Sequence, residues 1–226
     1  TGVMTLGGTT LFTSYVLPPL LSAFSERCPG VELRLNEAHT ARLKGELQEG
    51  TLDFVIDNCA FDPTVYESQL LKREQVILAV PRSLPLSPQA APFRLSAAQL
   101  TIKDAPRVPL PLFADVPFLL LKEGNDTRAR AEQLCAQAGF TPHIRLQLDQ
   151  QLAAYNLASY GLGAAFISDT LALSAPPDER LVYYRIDSPN VERSIRLFYK
   201  RTRVLTAPMR ALLDMLDRSK GRPKDD

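Results

Sequence analysis

The sequence is short of the residues that most often advertise chemistry. It holds three cysteines (Cys28, Cys59 and Cys135) and two histidines, His39 and His143. An odd, sparse cysteine set argues against a disulfide framework and suits a reducing compartment, so a cytoplasmic location is expected. No two cysteines have the spacing of a zinc site, and neither metal nor cofactor is expected. Each reads most simply as a small buried apolar residue. No apolar run reaches the roughly 18 residues of a membrane helix, so no membrane partner is expected. Neither sign of charge prevails: 26 Lys and Arg face 25 Asp and Glu, a net +1. That balance does not advertise a nucleic-acid surface. The opening TGVMTLGGTT lacks the basic and long apolar segments of a signal peptide. It also lacks an initiator Met, which reads as a processed chain or an excised fragment.

What is present is an ordinary globular composition, 45% apolar and 23% charged, over 226 residues. That length suits one large α/β domain or two small ones. MTLGG reads as a short strand ending in glycines. Thr13 or Ser14 is placed to cap the next helix, with Leu17, Leu20, Leu21 and Phe24 as its apolar stripe. Pro18 and Pro19 fall near the edge of its first turn, where a missing N–H costs least. CPG stops the helix, and VELRLNE alternates as a half-buried strand. Thr40 is expected to cap a second helix that buries Leu43 and Leu47 and ends at Gly50. LDFVID, nearly all apolar, reads as a strand covered on both faces. This β-α-β-α-β order predicts a parallel sheet.

A proline-rich middle follows, with REQVILAVP as a strand and LSAAQL as a short helix. A second β/α series begins at FLLL. It continues through the helix TRARAEQLCAQAGF, the strand HIRLQL, the helix DQQLAAYNLASYG and the strand LGAAFI. LVYYRI and RSIRLFYK are late strands, TAPMRALLDMLD a last amphipathic helix and RSKGRPKDD a frayed tail.

In open α/β sheets ligands bind beyond the carboxyl ends of the strands, at turns that start helices. Free N–H groups and the helix dipole make such turns ready for anions. The residues there are Thr9, Thr10 and Thr13, then His39 and Thr40, then Asp57 and Asn58. In the second series they are Gly124, Asn125 and Thr127, then Asp149, Gln150 and Gln151. Hydroxyls and amides without a nucleophile–base pair suit binding rather than catalysis, although the same residues also cap helices.

The stretch LGGTTLFTSYVLPPLLSAFSERCPGVELRLNEAHTARLKGELQEGTLDFVI resembles the opening of the effector-binding domain of LysR-type transcriptional regulators. VILAVP, NLASYGLGAAFIS and RLFYKR resemble later segments in the family's order. The resemblance implies an α/β fold of two Rossmann-like lobes, of the periplasmic-binding-protein type 2 architecture, joined by two hinge strands. Lobe I would comprise residues 1–75 and 181–226, and lobe II residues 76–180. It implies a small, anionic effector in the interlobe cleft. The expected contacts are Thr9, Thr10, Leu11, Thr13, His39, Thr40 and Asn58, with Gly124, Asn125, Thr127, Gln150 and Phe166. A neutral ligand stays open, because no Arg is firmly placed there. The family's N-terminal helix-turn-helix is missing from this sequence, so DNA contact would belong to that absent part. A homodimer is implied, through the Tyr15–Arg27 helix and the strand VELRL, or a tetramer of the full-length protein.

Rival readings share the fold. A free-standing solute-binding protein of a transport system is one; the odd cysteine count and the short Gly-Gly turn speak against it. An enzyme is another, with Cys59 and His39 following neighbouring strands as a nucleophile and base would. No local signature supports that pair, and no catalytic residue is expected. A disulfide switch lacks a short-spaced cysteine pair. His143 reads as half-buried and structural. Arg128 could meet a carboxylate ligand, with a solvated helix face as the simpler reading.

Overall fold

The computed structural model describes residues 2–220, the last two by backbone alone. In chain order the strands and helices are β1 (Gly2–Gly8), α1 (Leu17–Arg27), β2 (Val31–Glu37), α2 (Thr40–Glu49), β3 (Phe54–Asp57), β4 (Tyr66–Pro81), β5 (Arg107–Val108) and β6 (Pro117–Leu121). There follow α3 (Asp126–Gln137), β7 (His143–Leu148), α4 (Gln151–Ser159), β8 (Ala164–Ser168), α5 (Asp169–Ser174), β9 (Leu181–Ile186), β10 (Glu192–Lys200) and α6 (Ala207–Lys220). The chain forms two compact units, residues 1–73 with 194–226, and residues 74–193. It passes between them within β4, at Arg73–Glu74, and within β10, at Arg193–Ser194.

In the first unit the strand order is β2-β1-β3-β10. β1 runs parallel to β2 and to β3, and β10 is antiparallel to β3. The predicted β-α-β-α-β order is present. All four residues of β3 are buried, as its apolar run predicts. β2 lies at the edge, so its alternation ends in half-buried rather than buried residues. Leu43 and Leu47 of α2 bury fully, and Gly50 closes that helix with a left-handed φ of 84° that favours glycine. Phe61 stacks on Phe198 at 4.0 Å between ring centres. Buried Asp53 ties β1 to β3's approach: its carboxylate accepts from the Thr5 N–H at 2.8 Å and pairs with Arg203.

The entry into α1 differs from the expectation. The helical run begins at Thr10 and passes through a π-helical segment, Phe12–Val16, before α1 starts. Pro18 and Pro19 therefore sit at the start of α1 but a turn and more inside the run. Prolines offer no N–H to the carbonyls one turn back, and the wider π turn gives their rings room. Thr13 and Ser14 lie inside this segment and cap nothing. Thr40 is not a cap either: the N-cap of α2 is His39, with no side-chain bond to the helix.

The second unit has the order β5-β9-β4-β8-β6-β7. β4 is antiparallel to both β8 and β9, while β6 is parallel to β7 and β8. The pairing of β9 with β4 and β5 is why it belongs to this unit, whereas the sequence expectation put it with the first. Its core gathers Phe113, Phe118, Phe166 and Tyr184 with aliphatic residues of β4, β6 and α3. The proline-rich middle folds into 3-10 turns at Pro88–Phe93, Ala98–Thr101 and Leu110–Phe113. Gly163 (φ 157°) lies so close to β6 that a Cβ would meet the Pro117 carbonyl oxygen at 2.6 Å. The last helix continues to Lys220, and the rest of the tail expected to fray lies outside the described residues.

Candidate functional site

The pairing register places Glu37 and Ile56 level with Gly8, on either side of β1. The carboxyl ends of β1, β2 and β3 thus form one row, and each leads into a turn. After β1 the first helical turn closes with the Phe12 and Thr13 N–H groups donating to the Thr9 carbonyl, at 2.9 and 3.0 Å. Thr10 Oγ1 donates to Glu37 Oε1 at 2.9 Å, and Thr13 Oγ1 donates to Glu37 Oε2 at 2.6 Å. After β2 comes exposed His39, then Thr40, whose Oγ1 donates to Asp57 Oδ2 at 2.8 Å. The other Asp57 oxygen accepts the Cys59 N–H at 2.8 Å. Asp57 itself is buried, and Asn58 beside it is half-buried. Leu11 is buried in the first unit's interior. The structure therefore brings Thr9, Thr10, Thr13, His39, Thr40 and Asn58 to one sheet end.

In the second unit Asn125 is a working N-cap: its Oδ1 accepts the Thr127 N–H at 2.8 Å. Gly124 supplies the left-handed turn before it, at φ 84°. Thr127 is buried, and its Oγ1 accepts from Arg193 Nη1 at 3.0 Å. Arg193 also pairs with Glu74 at 2.6 Å and Asp126 at 3.3 Å. Side-chain exposure is 2% for Arg193 and 0% for Glu74. This pair joins the first and last residues of the second unit. Gln150 is the half-buried N-cap of α4 and makes no side-chain cap bond. Its neighbour Gln151 does the holding, with Oε1 accepting the Ser168 N–H at 2.6 Å. Phe166 is a core residue whose ring stacks on Phe118 at 5.3 Å, so its side chain packs in the core.

Two further expectations change. Arg128 is neither solvated nor open to a ligand: it is buried, pairs with Glu132 at 2.7 Å and donates to the Leu121 carbonyl at 2.9 Å. His143 is exposed, not half-buried. Cys135 is the apolar resident expected, with burial first and Glu132 second pushing its thiol up to about 12. Among the described residues no cluster of His, Cys, Asp and Glu could hold a metal ion. Nor is any described helix long and apolar enough to cross a membrane. Sequence reasoning missed Glu37. Its place as the last residue of an alternating strand was the available signal; that it lies level with the Gly-Gly end of β1 is set by strand pairing.

Fold and site together define a two-unit α/β binding domain of the type 2 periplasmic-binding-protein kind, with the polar residues gathered where strands end. Residues 1–220 match the LysR substrate binding domain, and the chain belongs to that family. Its relatives include an uncharacterized HTH-type transcriptional regulator, YcgK, of Bacillus subtilis, 29% identical over 85% of this chain and 60% of that protein. The chain spans about three-fifths of the length of the curated relatives it matches. Among solved structures, the Synechocystis CcmR regulatory domain in complex with 2-PG covers 98% of this chain and 99% of its own, at 18% identity and TM-score 0.81. The effector binding domain of QuiR in complex with shikimate covers 96% of each, at 16% identity and TM-score 0.78.

Proposed function

We propose that this chain is the effector-sensing part of a LysR-type transcriptional regulator, and that DNA is read by a part of the protein outside this sequence. The observation that carries this is the row of threonine-bearing turns at the carboxyl ends of β1, β2 and β3, in a chain of that family. Thr9, Thr10, Thr13, His39, Thr40 and Asn58 are the proposed contacts in the first unit. Gly124, Asn125, Thr127 and Gln150 are their counterparts in the second. A small anionic metabolite suits helix first turns, whose N–H groups have no intrahelical partner. The shikimate and 2-PG bound by the relatives above fit that class. Binding shifts the regulator between forms only by its differential affinity for them. Homodimerisation is proposed through α1 and β2. Only Leu17 and Phe24 of α1 are buried, β2 is an edge strand, and Leu35 and Val3 are 46% and 43% exposed.

Thermal unfolding against a panel of small carboxylates and oxyanions tests the reading. An effector at a hundred times its Kd stabilises by about 2.7 kcal/mol, a rise of roughly 5–11 °C for a chain of this size. The rise should vanish in Thr10→Val and Thr40→Val. A rise unchanged in both variants would refute the site. Light scattering at micromolar concentration checks the dimer, and a monomer would refute it for this chain.

A further inference from the structure

Three of the hydroxyls proposed as ligand contacts, those of Thr10, Thr13 and Thr40, each commit their one proton to a carboxylate. Thr10 spends its proton on Glu37 Oε1 at 2.9 Å. Thr13 spends its own on Glu37 Oε2 at 2.6 Å, the shorter of its two contacts, the other being the Thr10 carbonyl at 3.2 Å. Thr40 spends its on Asp57 Oδ2 at 2.8 Å. A hydroxyl whose hydrogen is committed presents only lone pairs, and an ionised carboxylate only accepts. These three hydroxyls are therefore acceptors toward a ligand, held by exposed Glu37 and buried Asp57 on the two strands that flank β1. Beside them the backbone N–H groups of the helix starts can donate to an anion.

We propose that Glu37 determines specificity: the effector carries hydrogen-bond donors, hydroxyl or amine, that its exposed carboxylate and the Thr10 and Thr13 oxygens beside it read, in addition to any anionic group held by backbone N–H. This rests on the binding site proposed above and narrows its ligand to hydroxylated or aminated small acids. A simple carboxylate without donors offers nothing to the remaining lone pairs of Glu37, Thr10 and Thr13 and places its own charge near that of Glu37. A hydroxylated acid carries the same charge but offsets it with hydrogen bonds to these acceptors, and a hydrogen bond to a charged group commonly decides affinity by tenfold or more.

Propanoate and glycerate test this. They share three carbons and one carboxylate and differ by two hydroxyls. Amide NMR titrations of this chain give both the Kd and the residues touched. Glycerate is expected to bind at least fivefold tighter than propanoate, moving the amides of Thr9–Thr13 and Glu37–Thr40. In Glu37→Gln, at an exposed position where the fold is not at stake, the preference should collapse and propanoate should bind more tightly than it does to the parent. Equal affinities, a preference that survives Glu37→Gln, or no glycerate response at millimolar concentration would overturn the inference. If both acids bind but move amides elsewhere, the proposed site itself is wrong and the inference falls with it. If both move the strand-end amides equally, the site stands and only the donor preference fails.

Discussion

The buried pair Arg193–Glu74 offers the largest single-residue effect. Arg193→Met removes the guanidinium from beside Glu74, whose side chain has no exposure, and strips one partner from both Thr127 and Asp126. Breaking a buried ion pair by deleting one partner costs about 3–5 kcal/mol, because the remaining charge loses its compensation without regaining water. For 150–250 residues each kcal/mol lowers Tm by roughly 2–4 °C, so the drop should be roughly 6–20 °C. Thermal unfolding followed by circular dichroism at neutral pH reads it directly. The drop should be similar at low and high salt, since a buried pair is poorly screened. The double variant Glu74→Leu with Arg193→Met should recover most of it, because apolar replacements of buried pairs are often neutral or better. A fall below about 3 °C in the single variant, or no recovery in the double, would refute the argument that burial sets this pair's energetics.

Gly163→Ala should destabilise by about 2–4 kcal/mol, through contact with the Pro117 carbonyl and a strained φ, as measured by urea unfolding; an unchanged midpoint would refute that packing. Cys135, its thiol raised to about 12, should resist alkylation in the folded chain while half-buried Cys28 and Cys59 label first, and all should react once urea unfolds the protein. Mass spectrometry after brief labelling at mildly alkaline pH decides it. The Arg180 fork, by its hydrogen bonds first, holds the Asp178 carboxyl down to about 2. A lowered folded value means that its stabilisation is present above the ordinary aspartate range near 3.9 and is lost as pH falls through about 2. The Arg180 partner is solvated, its side chain 53% exposed, so the energy is small; the carboxyl NMR titration midpoint should move back up in Arg180→Gln.

Most strands and helices were legible because their cues are local. Leu43, Leu47 and Gly50 fix α2 by spacing and a left-handed stop, and the apolar run of β3 declares burial on both faces. Elements whose cause is tertiary were not. β9 pairs within the second unit through partners far away in sequence. Arg128 looks like a surface helix charge, yet it is buried against the Leu121 carbonyl. At the candidate site the hydroxyls were visible and their commitments were not. Glu37 reaches Thr10 and Thr13 only because β1 and β2 pair in one register, which no local pattern declares.

The π segment before α1 has a consequence for rotational phase. Phe12 and Leu17 are five residues apart, and in an unbroken α-helix five steps leave side chains about 140° apart around the axis. Both are nevertheless buried, because the wider turn, closed by the Leu17 N–H on the Phe12 carbonyl, absorbs one extra residue and brings them back into line. The same insertion turns Thr13 out of the line that Leu17 and Phe24 continue and toward Glu37. Deleting Ser14 would return the run to α-helical phase. Phe12 and Thr13 could then no longer both keep their places, so the aromatic anchor and the hydroxyl contact are secured by a single surplus residue.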